Sequence, residues 1–314
     1  MQNLRELPKL RDSLSYLYLE HGRVEQKYKA VDFIDKTGGV TPVPAAGLSV
    51  LLLGPGTTVT HAAIKSLADN GCLVIWSGEN GAKFYAQGIG ETRKAYHLLR
   101  QAKLASDPHQ RLVVVRRMYQ MRFAEELDAG LTLQQIRGKE GNRVREVYAQ
   151  ASRESGVPWQ GRRYDRNNWG KGDPINRAIS AANAMLNGLC HTAIVSGGYS
   201  PAIGFIHTGK QLSFVYDVAD LYKTDITIPL AFRVVAESPL HVEQRTRQAC
   251  REAFKQHKLL DHILPDIDEL LAVDDLPPDD GNIPDPDDDP AAPTPWWGDD
   301  DASLDLIDVG HFVD

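Results

Sequence analysis

The chain has 314 residues, 42% hydrophobic and 25% charged, with three cysteines; it has room for about two ordinary domains and is neither a small stapled scaffold nor unfolded throughout. Its formal charge of −7 is uneven: Asp274 to Asp314 hold fourteen aspartates and no Lys, Arg or Glu, which leaves 28 of the 42 acids against all 35 bases in residues 1–273, a body of +7. A basic body is the electrostatic footprint of a polyanion partner, so nucleic acid is a candidate ligand.

The first stretch, MQNLRELPKLRDSL, is charged where a signal peptide would be apolar, and the run Leu48 to Leu53 is far too short to span a membrane, which points to the cytoplasm. The widely spaced Cys72, Cys190 and Cys250 agree with a reducing compartment. From residue 14 to 89 the pattern is strand-rich. Leu14, Tyr16 and Tyr18 alternate with their neighbours, and VDFID, LSVLLL, CLVIW and KFYAQGI follow between turn residues. One short helix interrupts them in TVTHAAIKSLADNG, where Thr60 is placed to accept first-turn amides and Gly71 to close the helix in a left-handed conformation.

From about Ala95 apolar residues recur at helical spacing, and Val114, Met118, Met121, Ala124 and Leu127 are expected on one helical face. Asp173 followed by Pro174 is a helix start, and Ile175, Ile179, Ala182 and Leu186 supply its buried stripe. The expected fold class is α+β: a small β-rich N-terminal domain over residues 1–90, an all-α domain over 91–273, and an acidic tail over 274–314. That tail is too rich in proline and like charge to bury a core, so it is expected to be disordered when alone. Its apolar islands, Ile283, Trp296 with Trp297, and Leu306 to Val309, are of the kind that order on a partner; the alternative is a solvated tail that keeps the protein soluble or competes with nucleic acid for the basic body.

Two common signatures fail. Gly54-Pro55-Gly56 lacks the third glycine of a dinucleotide loop and no Walker lysine follows a glycine run, so a nucleotide cofactor is unsupported. Ser200 sits in a turn, but the segment breaks the nucleophile-elbow pattern at its last glycine. Three segments of the helical part remain. In RGKEGNRVREVYAQAS, Glu140 stands beside Gly141 at the expected start of an amphipathic helix. In SPAIGFIHTGK, His207 follows an apolar run and meets a glycine turn. In SFVYDVADLYK, Asp217 and Asp220 are three apart, hence on one face if the segment is helical. One Glu, one His and one or two Asp form a mixed oxygen and nitrogen donor set suited to Mg²⁺ or Mn²⁺. Arg162, Arg163, Arg166, Lys171, Lys210 and Lys223 lie near these segments with Tyr164 and Trp169 interleaved; cations neutralise phosphates and aromatics stack on bases. Taken separately, each piece also has a plain structural role: Glu140 as a helix-dipole partner, His207 as a satisfied turn histidine, the aspartates as a solvated face.

RGKEG, GRRYD, SPAIGFIHTGK and SFVYDVADLYK, in this order and at these separations, closely resemble the CRISPR-associated adaptation integrase that inserts new spacers, in its type I-E branch. The likeness runs from about Leu10 to the end of the helical part. It implies a β-rich N-terminal domain that makes a homodimer, and a helical catalytic domain holding Mg²⁺ or Mn²⁺ through Glu140, His207 and Asp220, with Asp217 a supporting catalytic carboxylate. It also implies double-stranded DNA as substrate, and two dimers bridged by a dimer of a second adaptation protein. The implied reaction joins 3′-hydroxyl ends of short DNA to the CRISPR repeat by transesterification, with nuclease activity on DNA, including branched forms, as a side reaction. DNA contacts are expected from Lys65, Lys83, Arg162, Arg163, Tyr164, Lys210, Lys223 and His21. His21 stands where relatives often have tyrosine, Asn187 where some relatives carry it, and Lys65 and Lys83 where relatives place arginine, which keeps the charge and loses the bidentate fork. A catalytically degenerate DNA-binding scaffold and a hydrolase using Ser200 with His207 are the competing expectations.

Overall fold

Short apolar runs and polar turns in the first ninety residues build two small sheets. The computed structural model describes residues 16–27, 30–79, 84–88, 95–162 and 173–271. The first sheet has the order β1 (Tyr16–Leu19), β5 (Val50–Leu53), β7 (Leu73–Ser77), β8 (Phe84–Gly88), the first three parallel and β8 antiparallel to β7. The second has the order β4 (Val40–Val43), β3 (Ala30–Asp35), β2 (Gly22–Lys27), β6 (Thr58–Val59). The crossover from β6 to β7 is α1 (His61–Asp69). Thr60 accepts from the Ala63 amide and Gly71 has φ +63°, so the expected cap and left-handed exit are both present.

Period-two alternation in β5 buries both of its faces. Leu51 and Leu53 enter a core with Leu19, Val24, Val31, Leu67 and Val74, shared by both sheets and α1. Val50 and Leu52 point the other way and meet Leu73, Ile75 and Val195, the last from the helical part. Leu51→Ala would empty a site with no exposed surface, at a cost of about 2–5 kcal/mol.

The rest of the described chain is helical: α2 (Tyr96–Ser106), α3 (Pro108–Gln120), α4 (Leu133–Ser155), α5 (Pro174–Ser196), α6 (Ser213–Ala219), a π turn at Lys223–Thr227, α7 (Ile228–Glu237), α8 (Val242–Gln256) and α9 (Leu259–Leu271). The α+β class therefore holds, with strands first and helices after. Helix α5 starts as expected: Asp173 accepts from the Asn176 amide and Pro174 occupies the first turn. It is buried along nearly its whole length, Ile175, Ile179, Ala182 and Leu186 included, and α6 to α9 pack around it. At its far end His191 stacks on Phe84 of β8, ring centroids 4.2 Å apart, and burial pushes the imidazole down to about 4. Residues through Leu271 form one compact unit.

Two expectations about helix bounds are corrected. Helix α3 stops at Gln120, so Met121, Ala124 and Leu127 do not extend the face of Val114 and Met118. The reason is local: the Gln120 side chain donates to the Glu125 carbonyl and accepts from the Leu127 amide, closing a turn that competes with further helix. Helix α4 begins at Leu133 under a Thr132/Gln135 capping box, so Glu140 lies well inside it rather than at its start. The acidic tail lies outside the described residues.

Candidate active site

Asp217 organises the loop that carries His207. It has no exposed surface, and its Oδ2 accepts the amides of Phe205 (2.6 Å) and Ile206 (3.0 Å) while Oδ1 accepts the amide of His207 (2.9 Å). The same Oδ1 lies 2.7 Å from His207 Nδ1. A carboxylate only accepts, so Nδ1 carries a proton, and the neutral form of the ring offers its lone pair at Nε2, on a side chain that is 40% exposed. Asp217 thus serves the site by aiming His207; both of its oxygens are filled by this loop.

The loop is pinned from behind. Gln101, fully buried in α2, donates to the carbonyls of Ser200 and Ile203 and accepts from the Ser200 amide, and Arg111 of α3 donates twice to the Phe205 carbonyl. A Cβ on Gly204 would lie 2.2 Å from the His207 carbonyl oxygen, so only glycine fits there, and Gly209 makes the expected turn at φ +77°. Ser200 accepts from Ala202 within its own turn while His207 Nδ1 goes to Asp217, so the described contacts form no serine–histidine pair.

Glu140 and Asp220 approach from two elements. Glu140, within α4, takes a bidentate pair from Arg143 at 2.8 and 3.0 Å. Asp220 follows the last turn of α6, and its Oδ1 accepts from Lys223 of the π turn at 2.6 Å. Single π turns recur at functional positions, and this one also brings Thr224 to Arg143 at 3.2 Å. The two carboxylates meet through Arg122: its Nη1 stands 3.5 Å from Glu140 and 3.8 Å from Asp220, and Nη2 reaches the Asp217 carbonyl at 3.4 Å. Helix spacing placed Asp217 and Asp220 together; the end of α6 at Ala219 separates their tasks, one inward to the loop and one toward the cations.

Arg122, Gln101 and Arg111 belong to no motif and escape sequence reasoning. Tyr148, two turns beyond Glu140, escapes it too: its ring stacks on Trp159 at 4.4 Å, and burial pushes its hydroxyl up, with the Arg162 charge opposing and that of Asp220 adding. Among the expected DNA contacts, Lys210 is exposed beside the Tyr216 ring, and Lys65 is exposed on α1 and paired with Asp69 at 2.6 Å. His21 occupies an exposed left-handed position at φ +56°. Arg162 instead holds the start of α5, through the Asn176 carbonyl at 2.9 Å and Ser180 at 3.0 Å. Asn187 Oδ1 is buried without a partner among the described residues. Lys83, Arg163, Tyr164, Arg166, Trp169 and Lys171 lie outside them.

Residues 120–257 match the family model described as CRISPR associated protein Cas1, a span that holds Arg122, Glu140, His207, Asp217 and Asp220. The CRISPR-associated endonuclease Cas1 2 of Thermus thermophilus is 54% identical over 296 residues, 94% of this chain and 90% of that relative. This chain belongs to the Cas1 family. The CRISPR-associated endonuclease Cas1 of Escherichia coli K12 is 44% identical over 269 residues, covering 86% of this chain and 88% of the relative. The crystal structure of a TtCas1–DNA complex superposes with a TM-score of 0.75 at 57% identity, over 84% of this chain and 99% of that one. The resemblance drawn from the sequence motifs is therefore confirmed at the level of family, and the Cas1 arrangement of strands followed by helices is the one described above.

Proposed function

We propose that this Cas1 chain is the metal-dependent DNA integrase and endonuclease of CRISPR adaptation. The observation that carries the proposal is Arg122, which reaches both Glu140 and Asp220 and also the carbonyl of Asp217, the residue that aims the His207 imidazole. The names of its relatives, CRISPR-associated endonucleases, and the TtCas1–DNA complex support the substrate class.

The donor set fits Mg²⁺ or Mn²⁺ in chemistry: two carboxylates and one imidazole nitrogen with a free lone pair. Among the described residues no three such donors converge on one point, and the space between Glu140 and Asp220 is taken by the Arg122 guanidinium, a cation standing where a cation is expected. Glu140, His207 and Asp220 would hold the ion, which supplies Lewis acidity at a phosphoryl oxygen and favours the deprotonated attacking hydroxyl.

In the proposed reaction the 3′-hydroxyl of a short DNA attacks a phosphodiester of the CRISPR repeat. One P–O bond forms and one breaks, the attacking hydroxyl loses its proton to solvent, and the displaced strand leaves with a protonated 3′-oxygen, so no external energy source is needed. Water in place of the hydroxyl gives hydrolysis of DNA, branched forms included. Asp217 keeps His207 in one tautomer and one orientation, and Lys223 and Arg143 offset negative charge where phosphate would sit. Both ends of the inserted DNA must be joined, which requires more than one active site. The assembly that supplies them is two homodimers, each formed through the β-rich part, bridged by a dimer of a second adaptation protein.

The test is strand transfer of a labelled duplex into supercoiled DNA bearing a CRISPR repeat, with the partner protein present, in Mg²⁺ or Mn²⁺ against EDTA. Joining should require metal and vanish in Glu140→Ala, His207→Ala and Asp220→Ala while DNA binding persists. Salt-sensitive binding without joining in either metal, beside a competent partner, would make the chain a DNA-binding scaffold and overturn the proposal.

A further inference from the structure

Arg122 is the most enclosed cation of the site, with 4% of its side chain exposed against 21% for Arg143 and 24% for Lys223. Those two each neutralise a single carboxylate. Among the described residues Arg122 alone touches both, and through the Asp217 carbonyl it also touches the helix that aims His207. Its contacts of 3.5 and 3.8 Å are long beside the 2.8 Å of Arg143 to Glu140, so the guanidinium is shared and fully committed to neither. Its Nε is buried with no hydrogen-bond partner among the described residues. A buried guanidinium with a wasted donor is a poor way to gain stability, since apolar side chains of similar volume often do as well or better. Two facing carboxylates, however, require a cation between them. The ring of Tyr119 lies 5.2 Å from the guanidinium carbon and backs it on one side.

We infer that Arg122 is the positioning residue of this site: it holds Glu140 and Asp220 in place, and a divalent cation competes with it for them. The inference rests on the metal chemistry proposed above and adds to it a cation of the chain's own that is shared by two of the three donors. Closure of Glu140 and Asp220 on an ion needs the volume that Nη1 occupies, so occupancy by metal and the present contacts of Arg122 exclude each other.

The experiment uses the full-length protein and its Arg122→Met and Arg122→Lys variants, with Mn²⁺ as the probe. Mn²⁺ binding is measured calorimetrically, and melting temperature is taken in EDTA and at saturating Mn²⁺. Arg122→Met should melt below wild type in EDTA, gain more on adding Mn²⁺, and bind Mn²⁺ about tenfold more tightly. Arg122→Lys, which keeps the charge without the fork, should fall between the two. Mn²⁺ affinity and Mn²⁺-induced melting shifts equal to wild type in both variants would overturn the inference and leave the proposed function standing. If Arg122→Met does not fold, unchanged Mn²⁺ affinity in Arg122→Lys overturns it alone. Tighter Mn²⁺ binding in a protein that joins no DNA would uphold the inference while the proposed function falls. A wild type that takes up no Mn²⁺ would overturn both.

Discussion

Asparagine at position 217 keeps the shape of the side chain and removes what the fold uses it for. Four N–H groups converge on the carboxylate, the Phe205 and Ile206 amides on Oδ2 and the His207 amide and ring Nδ1 on Oδ1. An amide offers one accepting oxygen, so with its NH₂ toward the Phe205 and Ile206 amides two donors lose their acceptor, and with its NH₂ toward His207 the backbone amide of His207 loses its acceptor and the ring must give up its Nδ1 proton to accept. A buried donor left unpaired costs about 1–3 kcal/mol, and the surviving two bonds lose a charged acceptor, so Asp217→Asn should cost about 4 kcal/mol. At about 2–4 °C per kcal/mol, the melting temperature should fall by roughly 8–16 °C. The assay is urea unfolding followed by circular dichroism, with Glu154→Gln on the exposed side of α4 as a control expected within about 0.5 kcal/mol of wild type. Imidazole ¹⁵N shifts of His207 report the tautomer in parallel. A loss under about 1 kcal/mol, or an unchanged bias toward protonated Nδ1, would refute the claim that this carboxylate sets the loop and the ring.

His191 gives a pH signature. Burial lowers its folded pKa to about 4 from an unfolded value near 6.5, so the unfolded chain takes the proton first; stability should be full above about pH 6.5, fall by at most about 3 kcal/mol on the way to pH 4, and stay level below, relative to His191→Leu. Denaturation curves of the two proteins that run parallel through that window would sink this expectation. Gly204→Ala puts a Cβ 2.2 Å from the His207 carbonyl oxygen, and the displaced loop should abolish strand transfer while duplex affinity stays within about twofold of wild type; normal joining would show that the loop adapts. Tyr222→Phe removes the hydroxyl donated to Asp266 at 2.5 Å and should cost about 1.5–3 kcal/mol in urea unfolding. Burial beside Asp266 also pushes the Tyr222 hydroxyl far up, so alkaline absorbance titration of the folded protein should show one more silent tyrosine in wild type than in the variant.

Where local chemistry decides, the fold was legible in the chain. Thr60, Gly71 and Asp173-Pro174 mark helix ends because a side-chain oxygen, a left-handed glycine and a ring-locked φ act within a few residues, and all three do so here. The apolar runs became β3, β5, β7 and β8 for the same reason. Strand β2 was not legible: in Gly22–Lys27 only Val24 is buried, and the segment is a strand because β3 and β6 supply its hydrogen bonds from either side. Met121 to Leu127 continued the spacing of α3 on paper and left the helix in fact, since Gln120 satisfies two backbone groups of the turn with its own side chain.

The candidate site divides along the same line. Its four acid and imidazole residues stood out because carboxylates and histidine beside glycine are uncommon company, yet spacing alone gave Asp217 and Asp220 the same task. Their difference arises where α6 ends: Asp217 is in the last turn and faces the loop of residues 205–207, while Asp220, just past the end, turns to Lys223 and Arg122. The residues that place them act from far away in the chain. Gln101 reaches Ser200 across 99 positions and Arg111 reaches Phe205 across 94, and neither has a neighbour in sequence that betrays the contact. Arg122 is the extreme case, an arginine among several near the end of α3, whose distinction is only that α4 and α6 each deliver a carboxylate to it. Donor chemistry is thus written locally, while the spacing between donors, on which a metal site depends, is set by long-range contacts with buried polar side chains that no local pattern selects.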